Sequence, residues 1–443
     1  MKNALMAAIL LSGITTVAGA AKAAASRDQQ DPGLANFINH IRAVDNHAHP
    51  NTTDSNDKGA DALPLDTLGP IQLPARVRPE SPVWLTAAKT LYGFEGATLD
   101  QQAIKTLTTR EQDTLQQKGA NFPDWALDRA GIEVMLSNRV DMGPGLSVPR
   151  FRWVSFVDAF LFPLSTKTEA ATTPDRQKLF PMEAQRLQAY LSDLHLAKLP
   201  ATLDVYLRQV VTATLESQQK AGCLAVKFEA AYLRSLDVEN PTLQESQKIY
   251  AQYINGGEPS HKDNKCLQDY IFRYIAREAG RLGMAVHIHS YPAAGDYFVA
   301  EDSDPLLLES VFNDPGLRKT NFVILHGGGE FWQHTTAMLW KPNVYTDFSL
   351  MTQLWTPREL AVTLRHWLSQ FPEKILFATD ADAFGPGLGW EMSAYMAASS
   401  AREALTLALS GMVADHEISM DRAEEIATMV MRGNANTLYH LGL

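Results

Sequence analysis

Two histidines stand two positions apart in the segment Val44-Asp45-Asn46-His47-Ala48-His49-Pro50. On a strand that spacing puts both imidazoles on one side, because side chains repeat every two residues. Two neutral imidazoles so placed can hold a divalent ion of the Zn, Mn or Fe kind. Alone the pair is weak evidence, since most His-x-His pairs are ordinary surface or loop residues. Three later apolar runs, 285–289, 322–326 and 375–380, also end in residue types that ligate metals: His289, His326 and Asp380. Each has a plainer use, a hydrogen-bonded structural histidine or, for Asp380, a helix cap. Taken together, four imidazoles and one carboxylate at strand ends describe one site, provided the fold gathers those ends.

The elements that must do so are legible as period and punctuation. A short helix near 29–41 leads into a first strand at 42–47, followed by a polar loop at 51–68 and a helical stretch at 84–128. Strands follow at 131–138, 151–157, 223–229, 285–289, 322–326, 344–348 and 375–380. From the fourth onward, helices at 203–219, 266–282, 305–315, 332–339 and 357–371 precede them, and helices at 391–409 and 420–431 close the chain. Eight short apolar strands mostly alternating with helices predict a parallel (β/α)8, TIM-like barrel. Helical insertions are expected after strand one (about 52–128) and strand three (about 165–200). In such a barrel the C-terminal strand ends converge on one face. His47, His49, His289, His326 and Asp380 would then share a pocket.

Length and composition agree with one elaborated domain over 26–443: 443 residues, 45% hydrophobic and 20% charged, with no repeat and no low-complexity linker. A net charge of −11 without a basic run argues against nucleic acid or an anionic membrane surface as partner. Residues 1–25 have the pattern of a cleavable secretory signal: Lys2, an apolar run to Val17, then small residues. That predicts a periplasmic or secreted protein with no membrane span in its mature form, free to form homo-oligomers. The two cysteines, Cys223 and Cys266, make no disulfide framework, and Cys223 reads as a small buried hydrophobe.

The order of these residues is itself a pattern: His-x-His after strand one, Lys227 after strand four, His after strands five and six, Asp after strand eight. In this the chain is similar to the amidohydrolase superfamily. The segments Val-Lys-Phe-Glu-Ala-Ala-Tyr-Leu-Arg at 226–234, His-Ile-His-Ser at 287–290, Val-Ile-Leu-His-Gly-Gly at 323–328 and Leu-Phe-Ala-Thr-Asp-Ala at 376–381 resemble its amidohydrolase-related subgroup. More narrowly they are similar to the nodulin-like domains found fused to glutamine synthetase. The closing Arg-Gly-Asn-Ala-Asn-Thr-Leu at 432–438 resembles that subgroup's final helix start. The likeness spans about 130–443 plus the His pair, and the two insertions depart from it.

The resemblance implies His47, His49, His289 and Asp380 as ligands of one or two divalent ions, zinc first, with Mn or Fe as alternatives. It implies His326 as a further ligand or as the group polarising a substrate carbonyl, and Asp380 as the general base. Lys227 is either carbamylated and metal-bridging or, as we favour, unmodified and facing a substrate carboxylate. Arg234 has the chemistry to clamp a carboxylate bidentately. His287, on the same side as His289 but deeper, is expected to pack behind it. Asp347 and Ser290 are candidate partners for ligand imidazoles, and Tyr291, Trp332 and Trp355 candidate pocket walls. The leading expectation is a metal-dependent hydrolase cleaving an amide or ester bond of a small carboxylated substrate. A decarboxylase or sugar-acid isomerase on the same scaffold is the alternative. A ligand-binding module without catalysis would have no use for Asp380.

Overall fold

The computed structural model describes residues 30–443 apart from 55, 56, 58, 70, 293 and 294. The expected signal segment, residues 1–25, lies outside the described residues. Eight parallel strands run in chain order: β1 (Ala43–Ala48), β2 (Ile132–Asn138), β3 (Phe151–Phe156), β4 (Ala225–Phe228), β5 (Ala285–His289), β6 (Phe322–Leu325), β7 (Val344–Asp347) and β8 (Ile375–Leu376). Runs such as Phe-Val-Ile-Leu in β6 are buried throughout, as strands covered on both faces must be. The eighth strand is shorter than the predicted 375–380, yet its continuation closes the ring. Asn46 N–H donates to the Phe377 carbonyl, Asp380 N–H to the His47 carbonyl and His49 N–H to the Ala381 carbonyl, at 3.0, 2.8 and 2.7 Å. The fold is thus a (β/α)8 barrel.

Inside the ring the two ends differ. Near the strand starts, Val44, Val134, Ala225, Ala285 and Val323 form one apolar cluster with Ala435, Leu438 and Tyr439. The last helix, Asn434–Tyr439, therefore plugs the end opposite the strand C-termini. The upper half is polar, with Asn46, His47, Lys227, His287 and His289 all buried.

Outside, apolar helix faces cover the strands, and sequence signals mark their ends. Thr356 and Glu359 make a reciprocal capping box at the start of Pro357–Leu368, with proline at the first position. Between β1 and β2 lie helices Pro82–Tyr92, Gln101–Lys118 and Phe122–Ala130. The first two contribute Trp84, Ala88, Leu91 and Leu107 to a cluster with Met392 and Met396 of helix Trp390–Ala414. Between β3 and β4, helix Pro174–Asp193 adds Leu179, Phe180, Leu187 and Tyr190 to the main core. Cys223 is buried, its thiol donating to the Ala225 carbonyl, and neither cysteine is in a disulfide. Among the described residues, no helix is long and apolar enough to cross a membrane.

Candidate metal centre

The strand ends do converge. His47 is the penultimate residue of β1, and its Nε2 lies 3.0 Å from Asp380 Oδ1, while His49 Nε2 lies 3.6 Å from the same oxygen. One ligand-type atom from each of these three residues falls within 4.8 Å of the others. Beside this triad His326 Nδ1 lies 3.9 Å from Asp380 Oδ2, and His326 Nε2 faces His289 Nδ1 at 3.0 Å. Lys227 Nζ sits 3.4 Å from His47 Nε2 and 3.8 Å from Glu229 Oε1. The five candidate ligands and Lys227 therefore form one cluster at the strand C-termini.

The backbone that aims them is unusual. His326 and Asp380 both adopt left-handed conformations (φ 62° and 54°), which non-glycine residues seldom hold without surrounding support. After His326 the chain turns through Gly327, Gly328 and Gly329, all at positive φ. A Cβ on Gly327 would meet the Trp367 ring at 2.5 Å and Met351 sulfur at 2.7 Å, so the turn packs directly on the barrel wall.

Hydrogen bonding fixes which nitrogens are bare. Ser349 donates its hydroxyl proton to Asp347 Oδ1 at 2.6 Å, so its oxygen must accept from His326 Nδ1–H at 2.9 Å. That leaves His326 Nε2 without a proton. His289 Nε2–H donates to the Tyr291 carbonyl at 3.0 Å, which leaves His289 Nδ1 bare as well. Two lone pairs facing each other at 3.0 Å repel unless a cation lies between them or beside both. Nitrogens bound at about 2.0–2.1 Å to one tetrahedral ion stand about 3.3 Å apart, close to this separation. At His47 the Asn138 side-chain amide abuts Nδ1 at 2.6 Å while its own Oδ1 lacks a partner. Turning that amide over, at the cost of its 3.2 Å bond to the Ala48 carbonyl, would let Oδ1 accept from Nδ1–H and free Nε2. The donor set of bare imidazoles and a carboxylate fits a divalent ion of the Zn, Mn or Fe kind.

Burial sets the charges. It pushes the pKa values of His47, His289 and His326 well below the usual histidine value, and that of His49 down to about 4, with Lys227 adding to each shift. All four are neutral at pH 7, the form that ligates metal. Burial raises the Asp380 carboxyl to about 7, opposed by Lys227 and reinforced by Asp347 and Asp61. A bound cation must displace that proton below pH 7, whereas His49 stays neutral down to about pH 4. Zn(II) affinity, read by competition with a chromophoric chelator, is therefore expected to weaken about tenfold per pH unit between 7 and 5 and to level off above 7. A flat profile would remove Asp380 from the ligand set.

Other expected residues fall elsewhere. Arg234 corrects the sequence reading: its guanidinium donates to Asp269 at 2.5 Å, to Gln268 at 3.2 Å and to the Asp237 carbonyl at 3.0 Å. Asp269 is fully buried on helix His261–Arg281, so this arginine neutralises an internal charge and is not a free clamp. Asp347 supports His326 through Ser349 and the His326 amide, and Ser290 donates to the Ile288 carbonyl without touching an imidazole. Trp332 packs edge-on against His366, while the Tyr291 ring lies 6.3 Å from that of His326. His287 is behind His289, its Nε2 2.7 Å from the Tyr439 hydroxyl. Sequence reasoning passed over Asn138, Ser349 and Tyr232, whose ring lies 4.5 Å from that of His289. Asn138 ends β2 and Ser349 lies just past β7, so the rule of strand ends, applied to amides and hydroxyls too, finds both.

Residues 252–441 match the model of a protein family described as Amidohydrolase, a span holding His289, His326 and Asp380 but not the His pair. A search of curated proteins gives no match. Among solved structures the chain is similar to a presumed metal-dependent hydrolase from Lactobacillus casei (15% identity, TM-score 0.59, covering 94% of this chain and 99% of that one). It is also similar to glucuronate isomerase from Caulobacter crescentus (14%, 0.59, 94% and 96%) and uronate isomerase from Thermotoga maritima (12%, 0.56, 92% and 96%). At these identities the likeness is one of fold.

Proposed function

We propose that the chain is a metal-dependent hydrolase of the amidohydrolase superfamily, cleaving an amide or ester bond in a small carboxylated substrate. The observation that supports it most is the meeting of His47, His49 and Asp380 at one point, with the facing bare nitrogens of His289 and His326 alongside. The narrower likeness to nodulin-like domains rests on the strand-end motifs alone.

In this reading His47, His49, His289, His326 and Asp380 hold one or two divalent ions, zinc first. When bound, an ion of this kind would make water a competent nucleophile at neutral pH. Asp380, beside both imidazoles at the strand ends, would accept a proton from the attacking water and pass it to the leaving group. His326, anchored through Ser349, orients the scissile carbonyl. Lys227, unmodified, offers its ammonium to the substrate carboxylate and is steadied by Glu229.

A second reading, isomerisation of a sugar acid, has its own support in the two uronate isomerases among the similar structures. The discriminating experiment is a panel of N-acyl amino acids, dipeptides, lactones and uronates, given to the purified zinc-loaded protein. Release of a carboxylic acid with an amine or alcohol is expected. Conversion of a uronate to its keto isomer without cleavage would replace the hydrolase reading. Metal binding with no turnover of either class would leave a binding module.

A further inference from the structure

The cation site is tied to the far end of the barrel by a hydrogen-bond chain in which every link has one permitted direction. Asp347, fully buried, receives four donors: the His326 amide at 2.8 Å, the Ser349 amide at 3.2 Å, the Ser349 hydroxyl at 2.6 Å and the Asn46 side-chain amide at 2.8 Å. A carboxylate only accepts, so Asn46 must present its nitrogen here and its Oδ1 to the other side. There the Tyr439 hydroxyl donates to Asn46 Oδ1. With its proton so committed, Tyr439 can only accept from His287, which is held as the Nε2–H tautomer. His287 Nδ1 is left bare, buried and without a partner among the described residues. On the upper branch the same logic makes His326 the Nδ1–H tautomer through Ser349.

We propose that Tyr439, on the last helix, is a positioning residue for the cation site, acting through Asn46, Asp347 and Ser349 on the tautomer and ring orientation of His326. Removing its hydroxyl leaves Asn46 Oδ1 and His287 Nε2–H unsatisfied. Asn46 is then held from one side only, by its bond to Asp347 Oδ2, and its amide plane, with the second oxygen of Asp347 that it fixes, loses the anchor on the far side. The C-terminal helix thus serves two ends at once, filling the apolar base of the ring and setting the polarity of the network above it. The inference rests on the metal-site reading for its consequence, though the tautomer pattern exists with or without a cation.

The test uses the full chain as Tyr439→Phe, Ser349→Ala and Ser349→Thr, with three readouts: Zn(II) affinity by chelator competition, thermal midpoint of the metal-free protein, and 15N shifts in histidine-labelled metal-free protein. Ser349→Ala is expected to weaken Zn(II) binding about 10- to 100-fold and Tyr439→Phe about tenfold, the range for partners that orient metal ligands. Ser349→Thr, which keeps the hydroxyl, should stay near wild type. In both weakened variants the His326 nitrogens should lose their split into one protonated and one bare signal and average over both tautomers. The proposal is overturned if Tyr439→Phe lowers the thermal midpoint while Zn(II) affinity and the histidine shifts stay as in wild type, since the residue would then be a plug only. If the wild type binds no divalent cation yet its metal-free spectrum shows the fixed tautomers, the metal reading fails and the chain stands. Averaged tautomers in the wild type would sink the chain itself.

Discussion

Replacing Asp380 with asparagine is expected to lower kcat by about 10²- to 10⁴-fold while the cation remains bound, the effect of deleting a positioned general base. The substitution isolates chemistry from architecture for three reasons. Asparagine tolerates the left-handed backbone that Asp380 adopts at φ 54°, where most residues would be strained. The backbone bonds that hold the position, Asp380 N–H to the His47 carbonyl and Gln353 Nε2–H to the Asp380 carbonyl, do not involve the side chain. The carboxamide keeps an oxygen where Asp380 Oδ1 meets the two imidazoles. What it loses is the capacity to take a proton. At saturating zinc, elemental analysis should show the metal largely in place, and steady-state kinetics on the best substrate of the panel should show the loss in kcat. An intact kcat with intact metal would remove Asp380 as the base.

The outline of the strand-end cluster was readable in the sequence because strand ends announce themselves. An apolar run that stops at His, Asp or Lys places a polar group at the mouth of a parallel barrel, and His47, His289, His326, Lys227 and Asp380 all meet there. Local pattern carries no information about partners brought in from distant segments. The likeness of Arg234 to a clamp could not reveal that Asp269, on helix His261–Arg281, neutralises it. Asp347 was legible as a support, but the hydroxyl between it and His326 is passed over when strand ends are read for metal-ligating types alone, although Ser349 lies just past β7. The brevity of β8 has a similar origin. Its apolar letters continue to Ala378, yet paired register with β7 ends at Leu376, and the next N–H, that of Phe377, donates to the Val430 carbonyl instead. The polar loop at 51–68 reads as lying beside the site, but its pattern does not single out Asp61, which comes to 4.0 Å from His49.

The largest structural effect is expected from the double substitution His47→Gln, His49→Gln, which should reduce bound metal from one or two equivalents to less than about a tenth of one. The two rings stand 5.0 Å apart and both point Nε2 at Asp380 Oδ1, so they act on one centre and their loss cannot be covered by the neighbouring pair alone. Glutamine fills much of the volume of the fully buried His47 and limits the cavity that alanine would leave. A cation that binds only the folded chain adds about 2.7 kcal/mol when present at 100 times its Kd. Saturating zinc should therefore raise the thermal midpoint of wild type by several degrees and leave that of the double variant unmoved. Comparing metal-free proteins supplies the control: similar midpoints without zinc mean that the missing shift reflects lost ligands and not a damaged barrel. Full metal retention in the variant, with the same zinc-dependent shift as wild type, would show that the cation sits elsewhere, and the assignment of the strand-end cluster would fall with it.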